Sequence, residues 1–114
     1  MVIPVKKIQL NLSDLMDSDI FALLGVSEIF DYVDGKRTDT ISGIRYSVAN
    51  PNTFENFEVK VAGTKPLVTQ ERIDRADERL WVSFENAIVK PFKVEYGKAT
   101  CSVSADSVKL VSVN

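Results

Sequence analysis

The chain has 114 residues, 45% of them hydrophobic, which is the size and composition of one ordinary globular domain. It contains no histidine and a single cysteine, which excludes thiolate–imidazole zinc sites and the usual nucleophile–base pairs of enzymes. Sixteen acidic and fourteen basic residues give a net charge of −2, so the chain as a whole does not attract nucleic acid. We expect one domain over residues 1–114 that is not an enzyme and binds no metal or cofactor.

The apolar stretches are far shorter than the roughly 18 residues that a membrane-spanning helix needs. Cys101 is the only cysteine, so no intrachain disulfide can form, and this suits a reducing compartment. We therefore predict a cytoplasmic protein with no membrane association.

The first third of the chain is acidic. Residues 14–34 include six acidic side chains and no basic one. A weak helical turn is predicted within residues 13–24, where apolar residues cluster. Residues 26–33 are rich in β-forming residues but alternate irregularly, which is typical of a bulged strand.

Period-two alternation of apolar and polar residues predicts most of the remaining strands. It occurs at residues 44–48, 57–61, 80–85, 92–96 and 108–110. Turn residues separate these runs, at Asp34-Gly35, at Asn50-Pro51-Asn52 and at Tyr96-Gly97.

One segment has helical rather than β periodicity. Ile73, Ala76 and Leu80 recur at helical spacing, and Thr69 is a suitable N-cap. Glu71 lies four residues before Arg75, an arrangement that stabilises helices. The pattern predicts a helix of about three turns over residues 69–80.

The predicted order is three strands, a helix and at least two further strands, which is the plan of the OB fold. We therefore expect a mainly β protein: an OB-like small barrel of five or six strands with one helix between strands 3 and 4. Another small barrel or an α+β sandwich would use the same elements.

Three stretches are similar to a known family. Residues 43–48 (GIRYSV) resemble the strand that carries an exposed tyrosine in the helix-destabilising, single-stranded DNA-binding proteins of filamentous phages. Residues 92–97 (FKVEYG) and 106–111 (DSVKLV) resemble the closing hairpin of the same proteins. The resemblance implies a non-catalytic OB-type barrel that forms a homodimer and holds single-stranded DNA in a groove, in a phage, plasmid or conjugative element.

The resemblance also implies roles for individual residues. Tyr46 and Tyr96 correspond to aromatic residues that stack on bases, and Lys36 and Arg37 correspond to a basic loop. Tyr46 shares the face of its strand with Ile44 and Val48, so a core position fits it as well.

Binding of single strands requires aromatic faces for the bases and cations for the phosphates. Trp81 is a further stacking candidate because it lies opposite the apolar face of its strand. The basic residues that alternate along the predicted strands could neutralise phosphates; they are Arg45, Lys60, Lys90, Lys93 and Lys98.

A second function fits the acidic part of the chain. Apolar residues lie among the acids of residues 14–34; they include Leu15, Phe21, Leu23, Leu24, Ile29 and Phe30. This combination suits a protein-interaction module, such as an accessory or inhibitor subunit, that contacts a basic partner through its acidic N-terminal half.

Overall fold

The computed structural model describes residues 9–112. Strands account for 59% of the structure and helices for 11%, so the prediction of a mainly β protein is confirmed. In chain order the elements are β1 (Leu10–Asn11), α1 (Leu12–Met16), β2 (Phe21–Val33), β3 (Lys36–Ala49), β4 (Asn56–Val61), α2 (Gln70–Arg75), β5 (Leu80–Glu85), β6 (Ile88–Glu95), β7 (Lys98–Ala105) and β8 (Ser107–Val111).

The strands within residues 9–112 form one sheet in the order β1-β6-β7-β4-β3-β2-β5-β8. Neighbouring strands are antiparallel except β4 and β7, which run parallel. The predicted numbers of strands (five or six) and helices (one) were too low, because the described chain has eight strands and two helices. The sheet is not closed, so the predicted barrel is not confirmed.

Two short connections require the sheet to curve strongly. Only Asn86 and Ala87 join β5 to β6, although these strands lie five places apart in the sheet. A flat sheet would separate them by about 24 Å, whereas three peptide steps span about 11 Å at most. Asp106 alone joins β7 to β8, which also lie five places apart. The Asn86 side chain donates to Asp106 Oδ2 at 2.9 Å and links the two connections.

The inward side of this curved sheet holds a single hydrophobic core. Five strands each contribute a residue that is at most 2% exposed: Phe21, Val48, Val59, Val82 and Val89. The Phe21 ring packs edge-on against Phe57, with 5.5 Å between ring centroids. The alternation in the sequence therefore identified the inward faces of β3, β4 and β5.

Tyr46 belongs to this core. It is 2% exposed, and its ring centroid lies 6.3 Å from that of Phe84. The Leu67 backbone N–H donates to Tyr46 Oη at 2.9 Å. The phenol thus holds the segment after β4 against the sheet.

Helix α2 begins as predicted but is only six residues long. Thr69 is its N-cap, and Thr69 Oγ1 accepts a hydrogen bond from the Arg72 backbone N–H at 3.1 Å. Ala76 is extended, and Leu80 starts β5, where it pairs with Leu23. The strand pairing outweighs the helical spacing that predicted three turns.

The Gln70 side chain attaches α2 to the sheet. Its Oε1 accepts from the Val26 backbone N–H at 2.9 Å, beside an irregularity in the β2–β3 register between Leu23 and Gly25. A Cβ at Gly25 would lie 3.1 Å from the same oxygen, so a larger residue there would require the Gln70 side chain to shift by a few tenths of an ångström. The bulged character predicted for residues 26–33 is confirmed by further register shifts between Ile29 and Phe30 and between Phe30 and Tyr32.

Helix α1 lies at the start of the region where a weak helical turn was predicted, but it ends at Met16, and β2 occupies the rest of that region from Phe21. Asn50 is 1% exposed, and its amide donates to the Met16 carbonyl at 3.0 Å. Asn50 Oδ1 accepts from the Asn52 backbone N–H at 2.9 Å, which fixes the predicted turn after β3.

Two hairpins project from the sheet. Their tips, Asp34-Gly35 and Tyr96-Gly97, have positive φ at both residues, as in the two-residue turns that match the twist of paired strands. β2 pairs with β5 only through residues 21–23, and β7 pairs with β4 only through Ser104 and Ala105. Among residues 9–112, the outer part of each hairpin therefore pairs only with itself.

Replacing Tyr46 by Phe is expected to lower the free energy of unfolding by about 1 kcal/mol, because the Leu67 N–H loses its acceptor. Chemical denaturation measures this loss. The matched control is Tyr96→Phe, which removes a fully exposed hydroxyl and should change stability by less than about 0.5 kcal/mol. Equal losses in the two variants would contradict the structural role of Tyr46.

Candidate nucleic-acid interface

The register of the sheet brings basic residues together on its outward side. Arg45 on β3 is opposite Lys60 on β4, and Lys60 is opposite Ser104 on β7. Ser104 in turn pairs with Ile88 on β6, so one row crosses four strands. Sequence patterns could not show this convergence, because it depends on the parallel β4–β7 pairing of segments distant in the chain.

We define the basic face as the outward side of residues 43–49 of β3 and of β4, β7 and β6. Lys90 lies on this side because its neighbours on β6, Val89 and Pro91, face inward. Lys98 also faces outward, because it is an even number of residues from Ser104 on β7. The charged residues of the basic face are five cations and two carboxylates: Arg45, Lys60, Lys90, Lys93, Lys98, Glu58 and Glu95. Its local charge of +3 contrasts with −2 for the whole chain.

Both carboxylates of the basic face form ion pairs. Arg45 Nε lies 2.8 Å from Glu58 Oε2, and Lys93 Nζ lies 3.4 Å from Glu95 Oε1. All four side chains are about half exposed, so solvent screens these pairs and a phosphate can displace the carboxylate at little cost. Within residues 9–112, Lys60, Lys90 and Lys98 have no carboxylate within 4.0 Å.

Two exposed aromatic rings border the basic face. Tyr96 is 100% exposed at the tip of the β6–β7 hairpin. Phe92 is 61% exposed and lies at the register shift between Pro91 and Lys93. Because a bulge places two residues of one strand opposite a single residue of the other, Phe92 turns outward together with Lys93.

The sequence patterns did not identify Phe92 as a surface residue. Its alternation with Val94 and Tyr96 suggested an inward side chain, and the bulge changed that parity. The signal that could have revealed it is Pro91, since a proline within a strand marks an edge or a bulge.

Lys36 and Arg37 lie at the tip of the other hairpin. The Arg37 guanidinium carbon is 3.8 Å from the Phe30 ring centroid, and the exposed Tyr32 pairs with Arg37 across the hairpin. Arg37 is eight residues from Arg45 along β3, or about 25 Å. Lys36 and Arg37 therefore lie on the same strand as Arg45, but at its far end and outside the basic face.

The projecting part of the β2–β3 hairpin, residues 24–43, is acidic overall. It carries four carboxylates and only two cations. Its basic tip is therefore the one part of this hairpin that suits a phosphate.

The prediction that Tyr46 stacks on bases is wrong, because its ring is buried in the core. The alternation with Ile44 and Val48 had indicated this core position. Trp81 is half-buried on the outward side of β5, opposite Ala22 on β2 and Val111 on β8. β2 separates it from the basic face, so the structure does not bring it together with the other predicted binding residues.

Within residues 9–112, no group of three or more His, Cys, Asp or Glu side chains is arranged to hold a metal ion. In the same part of the chain, no helix has the length and apolar character needed to cross a membrane.

No protein-family model, curated protein or solved structure matches the chain.

Proposed function

We propose that the protein binds single-stranded DNA without catalysis, through aromatic stacking and phosphate neutralisation on the basic face, in a phage, plasmid or conjugative element. The observation that carries this proposal is the register that aligns Arg45 and Lys60 and extends the face to Lys90 and Lys98. Single-strand binding without sequence preference needs a cationic path and exposed rings, and this face offers both.

The topology supports an OB-like arrangement within this proposal. β2, β3 and β4 form a meander, α2 follows, and β7 then pairs in parallel with β4. In the OB fold, the second and third strands and the loops after the first and fourth strands bind oligonucleotides. Taking β2 as the first strand of that plan, the binding strands are β3 and β4, and the loops are the tips of the two projecting hairpins.

The two tips lie beyond opposite ends of the β3–β4 ladder. β3 leads away from the Asp34-Gly35 tip, whereas β7 starts at the Tyr96-Gly97 tip and runs parallel to β4. A strand crossing the basic face would therefore pass between the two hairpins. Lys36 and Arg37 would meet it at one end and Tyr96 at the other.

The proposed mechanism uses two separable contributions. Lys60, Lys90 and Lys98 neutralise phosphates and release counterions, which gives affinity that falls with salt. Tyr96 and Phe92 offer ring faces to unpaired bases. The absence of histidine and the single cysteine support a non-catalytic, cytoplasmic role.

The alternative, a module that binds a basic partner through residues 14–34, loses part of its surface. Phe21 and Leu23, which were counted among its contact residues, are at most 2% exposed. They serve the core instead, whereas Leu15 is exposed and Leu24, Ile29 and Phe30 remain partly exposed among the carboxylates.

The double variant Lys60→Gln with Lys98→Gln is expected to weaken binding of labelled oligo-dT, because two phosphate contacts are lost. The slope of log affinity against log salt concentration should fall by about 1.4, since each contact on a single strand contributes roughly 0.7. Fluorescence anisotropy at several salt concentrations measures both quantities.

The matched control is Lys65→Gln with Lys109→Gln, which removes the same charge from exposed positions outside the basic face. Its salt slope should equal that of the wild type. Equal effects of the two double variants, or no anisotropy change for the wild type at low salt, would contradict the proposed function.

Replacing Tyr96 by Ala is expected to cost about 1–3 kcal/mol of binding free energy for oligo-dT, which is typical of a stacked base. Its stability should be unaffected because the ring is fully exposed. Tyr96→Phe retains the ring and should bind like the wild type. If the Tyr96→Ala variant binds oligo-dT with wild-type affinity, Tyr96 does not contribute to the interface.

A homodimer is part of the proposal, and Val94 supports it. Beyond the bulge, Val94 pairs with Ala99 and lies on the side of the hairpin opposite the basic face, where it is 54% exposed. No other strand of the described part of the chain pairs with the β6–β7 hairpin here, so a second copy could cover this apolar side without blocking the basic face.

We expect a dimer in sedimentation experiments at tens of micromolar and a monomer for Val94→Asp, because dimerisation would bury the introduced charge. The control Thr100→Asp adds the same charge on the outward side of the neighbouring strand and should remain dimeric. A monomeric wild type would contradict this assignment.

A further inference from the structure

A cavity of about 450 Å³ lies beside Trp81, where β5 and β8 meet α2 and the segment before β5. Arg72 from α2 and Arg79 from that segment line it, together with Glu78 and Val111. Its volume is within the range of small-molecule sites. β2 lies between this cavity and the basic face in the sheet order.

The two arginines of the cavity have no acidic partner in the described chain. Within residues 9–112, no carboxylate oxygen lies within 4.0 Å of a side-chain nitrogen of Arg72 or Arg79. Arg75, on the same helix, is instead paired with Glu71 at 2.8 Å. The cavity lining therefore carries two guanidinium groups that form no ion pair among these residues, together with the single carboxylate of Glu78.

Trp81 supplies a different kind of surface to the same cavity. It is only half-buried, although a large aromatic ring stabilises a protein most when it is covered. An indole is well suited to contact a planar ring. The cavity thus combines one aromatic side chain with two cations.

We propose that this cavity binds a nucleoside monophosphate, with its base against Trp81 and its phosphate held by Arg72 and Arg79. A phosphate monoester carries a charge of about −1.5 to −2 at neutral pH and three strong acceptor oxygens, so it can bind both guanidiniums at once with Glu78 also in the lining. Guanidinium groups also match phosphate oxygens in bidentate geometry.

A ligand with a phosphate monoester beside a base could come from two sources. A phosphate monoester occurs in a free mononucleotide and at the phosphorylated end of a DNA strand, whereas the internal phosphodiesters of a strand carry one charge each. The cavity lies outside the basic face, so binding of a mononucleotide does not depend on the proposed function.

Trp81 is the only tryptophan, so its fluorescence reports directly on the cavity. The full chain is titrated with thymidine monophosphate, thymidine and inorganic phosphate. We expect saturable quenching by thymidine monophosphate and much weaker binding of the other two. Arg72→Gln and Arg79→Gln should each weaken it by about tenfold, as expected for a lost charged hydrogen bond.

Arg75→Gln is the matched control, because it removes the same charge from the same helix outside the cavity, and it should bind like the wild type. The indole N–H resonance of Trp81 gives a second readout that needs no variant, and it should shift with thymidine monophosphate. Absence of saturable quenching and of this shift would overturn the inference. Equal losses in the Arg75 variant, or thymidine binding as tightly as its monophosphate, would also overturn it.

The two sources are separated with oligo-dT carrying a 5′-phosphate or a 5′-hydroxyl, added to the Lys60→Gln, Lys98→Gln variant. Tighter binding of the phosphorylated strand supports strand-end recognition, and equal binding supports the free nucleotide as ligand. If the wild-type protein binds oligo-dT in the anisotropy assay but does not bind thymidine monophosphate, this inference is wrong. The proposed function is then unaffected.

Discussion

The connections at Asn86-Ala87 and at Asp106 join strands that lie five places apart in the sheet, and no flat arrangement lets so few residues span that distance. The sheet must curve until its two ends approach each other. This curvature gives every strand a concave side, where Phe21 and Val89 from distant parts of the sheet meet in one core. It also gives the strands a convex side, which carries the exposed charged residues of β3 and β4. The division between core and candidate interface follows from this constraint.

The convex side explains how a mildly acidic protein can present a basic surface. Arg45 and Lys98 are far apart in the chain, but the antiparallel β3–β4 ladder and the parallel β4–β7 ladder place them on one face. Charges separated by more than about 8 Å in physiological salt are largely screened from each other. Asp34, at the turn of the β2–β3 hairpin, lies well beyond that distance from Arg45 along the strand. A phosphate on the basic face therefore experiences the local charge rather than the net charge of the chain.

Local patterns were enough where the neighbouring residues in the chain decide the structure. Alternation placed Tyr46 on the same inward face as its apolar neighbours, and the capping hydroxyl of Thr69 marked the start of α2 correctly. Local patterns were not enough where a distant segment of the chain determines the structure. Leu80 continued a helical pattern but pairs with β2, and the bulge after Pro91 reversed the direction of Phe92. The convergence of Lys60 with the lysines of β6 and β7 depends on the order of the strands, which no single segment encodes.

The bulge after Pro91 has a consequence that joins assembly to binding. It sends Phe92 to the outward side while Val94 stays on the inward side, so the projecting hairpin exposes apolar groups on both sides. A two-stranded ribbon without further partners is only marginally stable in water. In the proposed dimer, a second copy covers Val94 and stabilises the ribbon, which fixes Tyr96 at its tip. Less conformational entropy would then be lost when a base stacks on that ring, so the proposed dimer would bind a strand more tightly without adding a contact to the DNA.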